Sequence, residues 1–175
     1  MGRVGKTIAQ YGHAFGMRVI AWSQNLTTES ASAAGTLRVE KDDLFRTSDV
    51  LTIHLVLGQR TLGLVTAREI GLMKPTAFLI NTSRGPIVAE AALLDALRSR
   101  RIAGAALDVF DQEPLPSNHI LRQLDNVVVT PHLGYVTYEV FQGFYRDTVE
   151  AVTSFLDGAP VRLLNPDAWT GRPRA

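Results

Sequence analysis

The chain has 175 residues, 46% of them apolar, which is enough for one domain with its own core. Its 18 basic and 17 acidic side chains leave a net charge of +1, so neither nucleic acid nor a membrane surface is an expected partner. The absence of cysteine excludes disulfides, thiolate metal sites and a cysteine nucleophile. The four histidines (His13, His54, His119, His132) form no H-x-x-x-H pair, and no metal is expected. No apolar run reaches membrane-spanning length and the first residues lack a signal-peptide core, so the expectation is a cytoplasmic domain.

In chain order, the opening "MGRVGKT" is a glycine-rich turn that leads into a helix over 5–15. "MRVIAW" (17–22) reads as a strand and "TLRV" (36–39) as a short edge strand. "DVLTIHLV" (49–56), "AFLINTS" (77–83), "AGAALDVF" (103–110) and "NVVVTPH" (126–132) read as buried strands rich in Val, Ile and Leu. Helical spacing over 66–73 and 89–100 separates them. This alternation predicts an α/β, Rossmann-like doubly wound parallel sheet, covered on both faces. A last helix over 136–157 carries Val140, Phe141, Phe144, Val149, Val152, Phe155 and Leu156 on one face, a stripe suited to core or interface. Gly158 stands where its cap belongs and Pro160 blocks continuation. The expected division is a dinucleotide-binding domain over 1–158 and a tail over 159–175 whose basic end, "GRPRA", is frayed.

The opening fits two phosphate-binding motifs, each lacking a glycine before Met1: the Rossmann G-x-G-x-x-G and the P-loop G-x-x-x-x-G-K-[ST]. Both exploit the unpaired N–H groups and the dipole of a helix N-terminus. The P-loop reading assigns Lys6 and Thr7 to phosphate and Mg²⁺, and needs an acidic strand end such as Asp108. The Rossmann reading needs a second strand ending near a ribose about twenty residues on, and Ser23 falls there. Spacing favours the Rossmann reading, although Ser23 is not the usual acidic residue, and a purely structural glycine turn stays open beside the two motifs.

Three further segments end predicted strands: "NTSRGPIV" (81–88), "ALDVFDQEP" (106–114) and "TPHLG" (130–134). Open α/β sheets bind ligands at that edge. The three segments deliver Arg84, Glu113 and His132 to one rim. A guanidinium grips a carboxylate and polarises a carbonyl. A histidine moves a hydroxyl proton near neutral pH, and a carboxylate on that histidine fixes its tautomer. Alone, each has an ordinary alternative: a surface ion pair, a strand-end hydrogen bond, a solvated turn. Together they are what oxidation of a 2-hydroxy acid requires.

"GRVG", "GMRVIAW", "LMKPTAFLINTSRGPIV", "LRSRRIAGAALDVFDQEPLP" and "DNVVVTPHLG" follow one another in the order and spacing of a known family. From Gly2 to about Leu156 the chain resembles the nucleotide-binding domain of the D-isomer-specific 2-hydroxyacid dehydrogenases, which include phosphoglycerate, glycerate and D-lactate dehydrogenases. The resemblance implies that Arg84 binds and polarises the substrate, that His132 is the general acid/base, and that Glu113 is its partner. Gly2, Arg3, Val4 and Gly5 would form the pyrophosphate turn, and Ser23 would face the ribose. Leu55, Thr82, Ser83, Asp108, His132 and Gly134 would line the rest of the cofactor, with Asp108 holding the carboxamide. Lys6 and Thr7 become ordinary first-turn residues, and the P-loop reading recedes.

The resemblance further implies NAD or NADP as cofactor, a small 2-hydroxy or 2-keto acid as substrate, and a homodimer in the full-length family member. Ser23 in place of an acid permits NADP, but no arginine follows in "SQNLT" to select it. Family members precede this domain with a substrate domain, a long helix and the first, central Rossmann strand. The expectation is therefore a dehydrogenase cut short, whose upstream codons encode a glycine two residues before Gly2, preceded by an apolar strand. A non-catalytic fragment or dinucleotide-sensing module remains the alternative.

Overall fold

The computed structural model describes residues 1–171, so 172–175 of the basic end lie outside the described residues. Helix α1 (Arg3–Ala14) follows Gly2 and stops where Gly16 takes a φ of +74°. There the Met17 N–H returns to the Gly12 carbonyl at 2.9 Å, a glycine-terminated helix end. Strand β1 (Ile20–Ala21) pairs in parallel with β2 (Leu37–Arg38). A second parallel sheet runs β3 (Val50–Ile53), β4 (Phe78–Asn81), β5 (Gly104–Leu107), β6 (Val127–Val129), in that spatial order. Among the described residues no strand joins β1 to β3.

Helices α2 (Thr28–Ser32) and α3 (Lys41–Thr47) fall in stretches that the sequence pattern leaves unassigned. Both are too short to show an apolar period, and local chemistry makes them. The Thr27 hydroxyl accepts the Ser30 N–H at 3.1 Å, while Asp42 and Asp43 stand at the N-terminal end of α3. Helices α4 (Ala67–Leu72), α5 (Glu90–Arg98) and α6 (Tyr138–Leu156) coincide with the helical spacings in the sequence.

Ladder register sets Ile53, Asn81 and Leu107 abreast, so neighbouring strands finish at a common edge. One face buries Leu51, Ile53, Leu79 and Leu107 against Ile70 of α4 and Leu93 and Leu97 of α5. On the other face Val50, Phe78 and Val128 remain 46%, 49% and 65% exposed. The expected cover is complete on one face only, because the residues packed into the core from α3, α4 and α5 all meet the Leu51–Leu79 side.

The chain divides into two compact units, Met1–His132 and Leu133–Ala175. α6 belongs to the second and buries no residue, so its apolar stripe is not core within this chain. Gly158, at φ +75°, ends it as the sequence anticipates. No helix among the described residues is long and apolar enough to cross a membrane.

Glu69 is among the polar residues buried beside the core. Glu69, 4% exposed, closes the capping box of α4 by accepting the Thr66 N–H at 2.9 Å and the Thr66 hydroxyl at 2.5 Å. Lys41 of α3 and Arg68 each donate to its other oxygen at 3.0 Å. Burial works to raise its pKa, but these donors outweigh it and hold the carboxyl at about 2. A depressed folded-state pKa stabilises the fold above the ordinary carboxylate value, and that contribution disappears as pH falls through about 2. Glu69→Gln is therefore expected to cost on the order of 3 kcal/mol near neutral pH and to flatten the acid limb of the stability curve. Denaturant titrations at intervals down to pH 2 measure this. A variant as acid-sensitive as the parent would clear Glu69 of the role.

Candidate active site

Because β4, β5 and β6 are parallel neighbours, the three segments that follow them meet at one rim. His132 Nδ1 lies 2.6 Å from Glu113 Oε2. The other carboxylate oxygen accepts the Phe110 N–H at 2.9 Å, so Glu113 is held from both sides. Burial pushes the Glu113 carboxyl up, but the hydrogen bonds of His132 and Phe110 and the charges of His132 and Arg84 outweigh it, leaving the pKa below its ordinary value. An ionised carboxylate only accepts, so Nδ1 carries the hydrogen and Nε2 is left as the nitrogen that exchanges a proton. His132 has a φ of +54°, uncommon outside glycine, and its N–H turns back to the Thr130 carbonyl at 3.1 Å.

The Arg84 loop approaches the Glu113 loop as closely as backbones allow. A Cβ on Gly85 would run into the Phe110 carbonyl and the Asp111 nitrogen. Arg84 is exposed and its Nη1 donates to the Ser83 carbonyl at 2.6 Å. The Ser83 hydroxyl donates to the Ile53 carbonyl at 2.7 Å, tying this loop to the end of β3. Asn81 is buried at the end of β4, its side chain bonded to Ser83 and Arg84 backbone. Phe110, Gly85, Asn81 and Thr130 are parts of the site to which the sequence motifs assign no role. A glycine beside Arg84 in "SRGP" and a polar Asn in an apolar strand were the available signals.

Asp108 is 6% exposed and accepts the Thr130 hydroxyl at 2.5 Å. Its N–H donates to the Asn81 carbonyl at 3.0 Å. Leu55 is half-buried after β3, and Thr82 is exposed. Gly134 belongs to the second unit. At the other end, Gly2 precedes α1 with no side-chain cap and no acidic residue in the first turn, and the space beside its Cα is open. Those free first-turn N–H groups at Arg3, Val4 and Gly5 suit a pyrophosphate, and the buried Asp108 carboxylate suits a carboxamide donor, so the residues present fit a nicotinamide dinucleotide. Lys6 and Thr7 lie in the first two turns of α1, the Thr7 hydroxyl bonding to the Arg3 carbonyl at 3.3 Å.

The Ser23 turn has a cation after all, supplied by the next strand. Arg38 of β2 donates through Nε to the Leu26 carbonyl at 2.9 Å, while the Leu26 N–H closes the turn on the Ser23 carbonyl at 3.0 Å. Arg38 also pairs with the exposed Glu40 at 2.7 Å. This cation lies outside "SQNLT" and arrives through β-pairing of Ala21 with Arg38.

The chain is also similar to known proteins over most of its length. Over 166 residues the chain is 43% identical to the glyoxylate reductase of Aeropyrum pernix, covering 94% of this chain and 50% of the relative. A crystal structure of a D-isomer specific 2-hydroxyacid dehydrogenase from Xanthobacter autotrophicus superposes with a TM-score of 0.80 at 33% identity, covering 92% of this chain and 53% of the other. The D-lactate dehydrogenase of Aquifex aeolicus, crystallised with NAD and lactic acid, superposes with a TM-score of 0.76 at 31% identity, covering 90% and 52%. The chain thus spans about half the length of the glyoxylate reductases it matches. Residues 1–134 match the model of the NAD binding domain of D-isomer specific 2-hydroxyacid dehydrogenases, and the chain belongs to that family.

Proposed function

We propose that this chain is the coenzyme-binding and catalytic half of an NAD(P)-dependent D-2-hydroxyacid dehydrogenase that interconverts a small 2-hydroxy acid and its 2-keto acid. The observation that carries the proposal is the 2.6 Å His132–Glu113 pair beside the charge of Arg84. When bound, the nicotinamide supplies or accepts the hydride at C2. Arg84 holds the substrate carboxylate through its forked N–H donors and polarises the C2 carbonyl. His132 Nε2 gives its proton to the oxygen that becomes the hydroxyl in reduction, and takes it back in oxidation. Glu113 keeps the ring in that tautomer and balances the imidazolium charge. Asp108 would receive the carboxamide, and the Gly2–Gly5 turn the pyrophosphate. A cytoplasmic homodimer accompanies this reading, and the exposed apolar stripe of α6 is available for an interface.

The test is coenzyme oxidation driven by glyoxylate, hydroxypyruvate or pyruvate, in this chain joined behind a substrate domain. Absence of turnover with every short 2-keto acid would overturn the proposal.

Coenzyme choice has its own expectation. Ser23 tolerates a 2′-phosphate that a carboxylate would repel, and Arg38 braces its turn. Ser23→Asp is expected to move the ratio of kcat/KM for NADPH and NADH about tenfold or more towards NADH, the worth of roughly 1.4 kcal/mol. An unchanged ratio would mean that residue 23 does not face the ribose.

A further inference from the structure

We infer that Asn81 is a positioning residue for Arg84, its buried amide setting the backbone from which the guanidinium reaches the substrate. The inference rests on the proposed reading of Arg84 as the substrate-gripping cation. Asn81 is the last residue of β4 and is 1% exposed, with Ile53 and Leu107 as its ladder neighbours. Its face of the sheet is otherwise built from Leu51, Ile53, Leu79 and Leu107, where an aliphatic residue would satisfy the core. An amide there is costly unless both of its ends are bonded.

Both ends are bonded, and both bonds go to the same loop. Nδ2 donates to the Arg84 carbonyl at 2.9 Å, and Oδ1 accepts the Ser83 N–H at 3.0 Å. The loop therefore closes around this one side chain. Beyond Arg84 the chain is fixed again, because Gly85 abuts the Phe110 backbone. Arg84 thus sits between two anchors, in extended conformation (φ −154°, ψ 137°). The Asn81 carbonyl meanwhile accepts the Asp108 N–H at 3.0 Å. One residue thereby ties the loop of the substrate cation to the strand end that carries Asp108. Aspartate has nearly the same shape but no donor for the Arg84 carbonyl, so it separates hydrogen bonding from packing.

The experiment uses this chain joined behind a substrate domain and compares Asn81→Ala, Asn81→Asp, Arg84→Ala and Asn81→Ala/Arg84→Ala. Asn81→Ala and Asn81→Asp are each expected to lower kcat/KM for the keto acid by about 10–100-fold, through both KM and kcat, with the Kd for reduced coenzyme changed less than about twofold. In the Arg84→Ala background, Asn81→Ala should cost less than about twofold further, since the group it positions is gone. A kcat/KM near that of the parent in Asn81→Asp would overturn the inference, as would full additivity with Arg84→Ala. Asn81→Asp remains informative if Asn81→Ala fails to fold. Turnover in Arg84→Ala equal to the parent would overturn the reading of Arg84 itself, whereas a crippled Arg84→Ala beside an unaffected Asn81→Asp overturns only the role of Asn81.

Discussion

His132→Ala, in this chain joined behind a substrate domain, is expected to lower kcat by about 10²–10⁴, the usual worth of a positioned general acid/base. The imidazole is held by Glu113 at 2.6 Å through Nδ1, so the variant removes the proton carrier and leaves the Arg84 loop in place. Coenzyme Kd should therefore change little while kcat falls. Glu113→Gln supplies the accompanying pH measurement. The Glu113 carboxyl is held below its ordinary pKa, so it stays ionised as the partner of Nδ1 throughout the working range. Glu113→Gln should lower kcat and remove the acid-side fall that protonation of Glu113 gives the parent. Turnover in His132→Ala close to that of the parent would remove His132 from the chemistry.

The second large effect concerns the split sheet. β1 and β3 each have one partner, β2 and β4, and no strand lies between them among the described residues. The backbone groups on those two inner edges lack a ladder, and each bond closed there contributes about 1 kcal/mol net. Extending the chain ahead of Met1 by about five β-branched residues, a typical strand length, and a glycine should bridge the gap. Cooperative unfolding at a higher temperature is expected, with coenzyme adding stabilisation of about RT ln(1 + [L]/Kd). Scanning calorimetry with and without NADH measures both. If the unextended chain already unfolds cooperatively and binds NADH at micromolar affinity, the gap costs nothing and the prediction is wrong.

The strand series was legible because Val-, Ile- and Leu-rich runs alternate with amphipathic stretches, and each of β1 to β6 falls inside a run identified from sequence. The runs overstate strand length, since residues such as Val56 and Val109 continue the apolar pattern beyond the ladder. They also overstate burial: "NVVV" looks like a core strand, yet Val128 points to the open face. Composition cannot tell a strand covered twice from one covered once. The rim residues Arg84, Glu113 and His132 were legible as chemistry at strand ends. What was illegible is carried by the third dimension. Arg38 reaches the Ser23 turn only through strand pairing, and the contact of Gly85 with Phe110 joins loops 25 residues apart.

That last contact has a consequence for how this site can diversify. The spacing between the Arg84 and Glu113 loops is fixed where main chain meets main chain, with no side chain between them to trim or enlarge. Substitution can alter walls around the reacting carbon, but it has no small step by which to widen the distance from cation to acid/base pair. New substrates would have to be admitted by groups outside these loops, while the reaction itself stays the same.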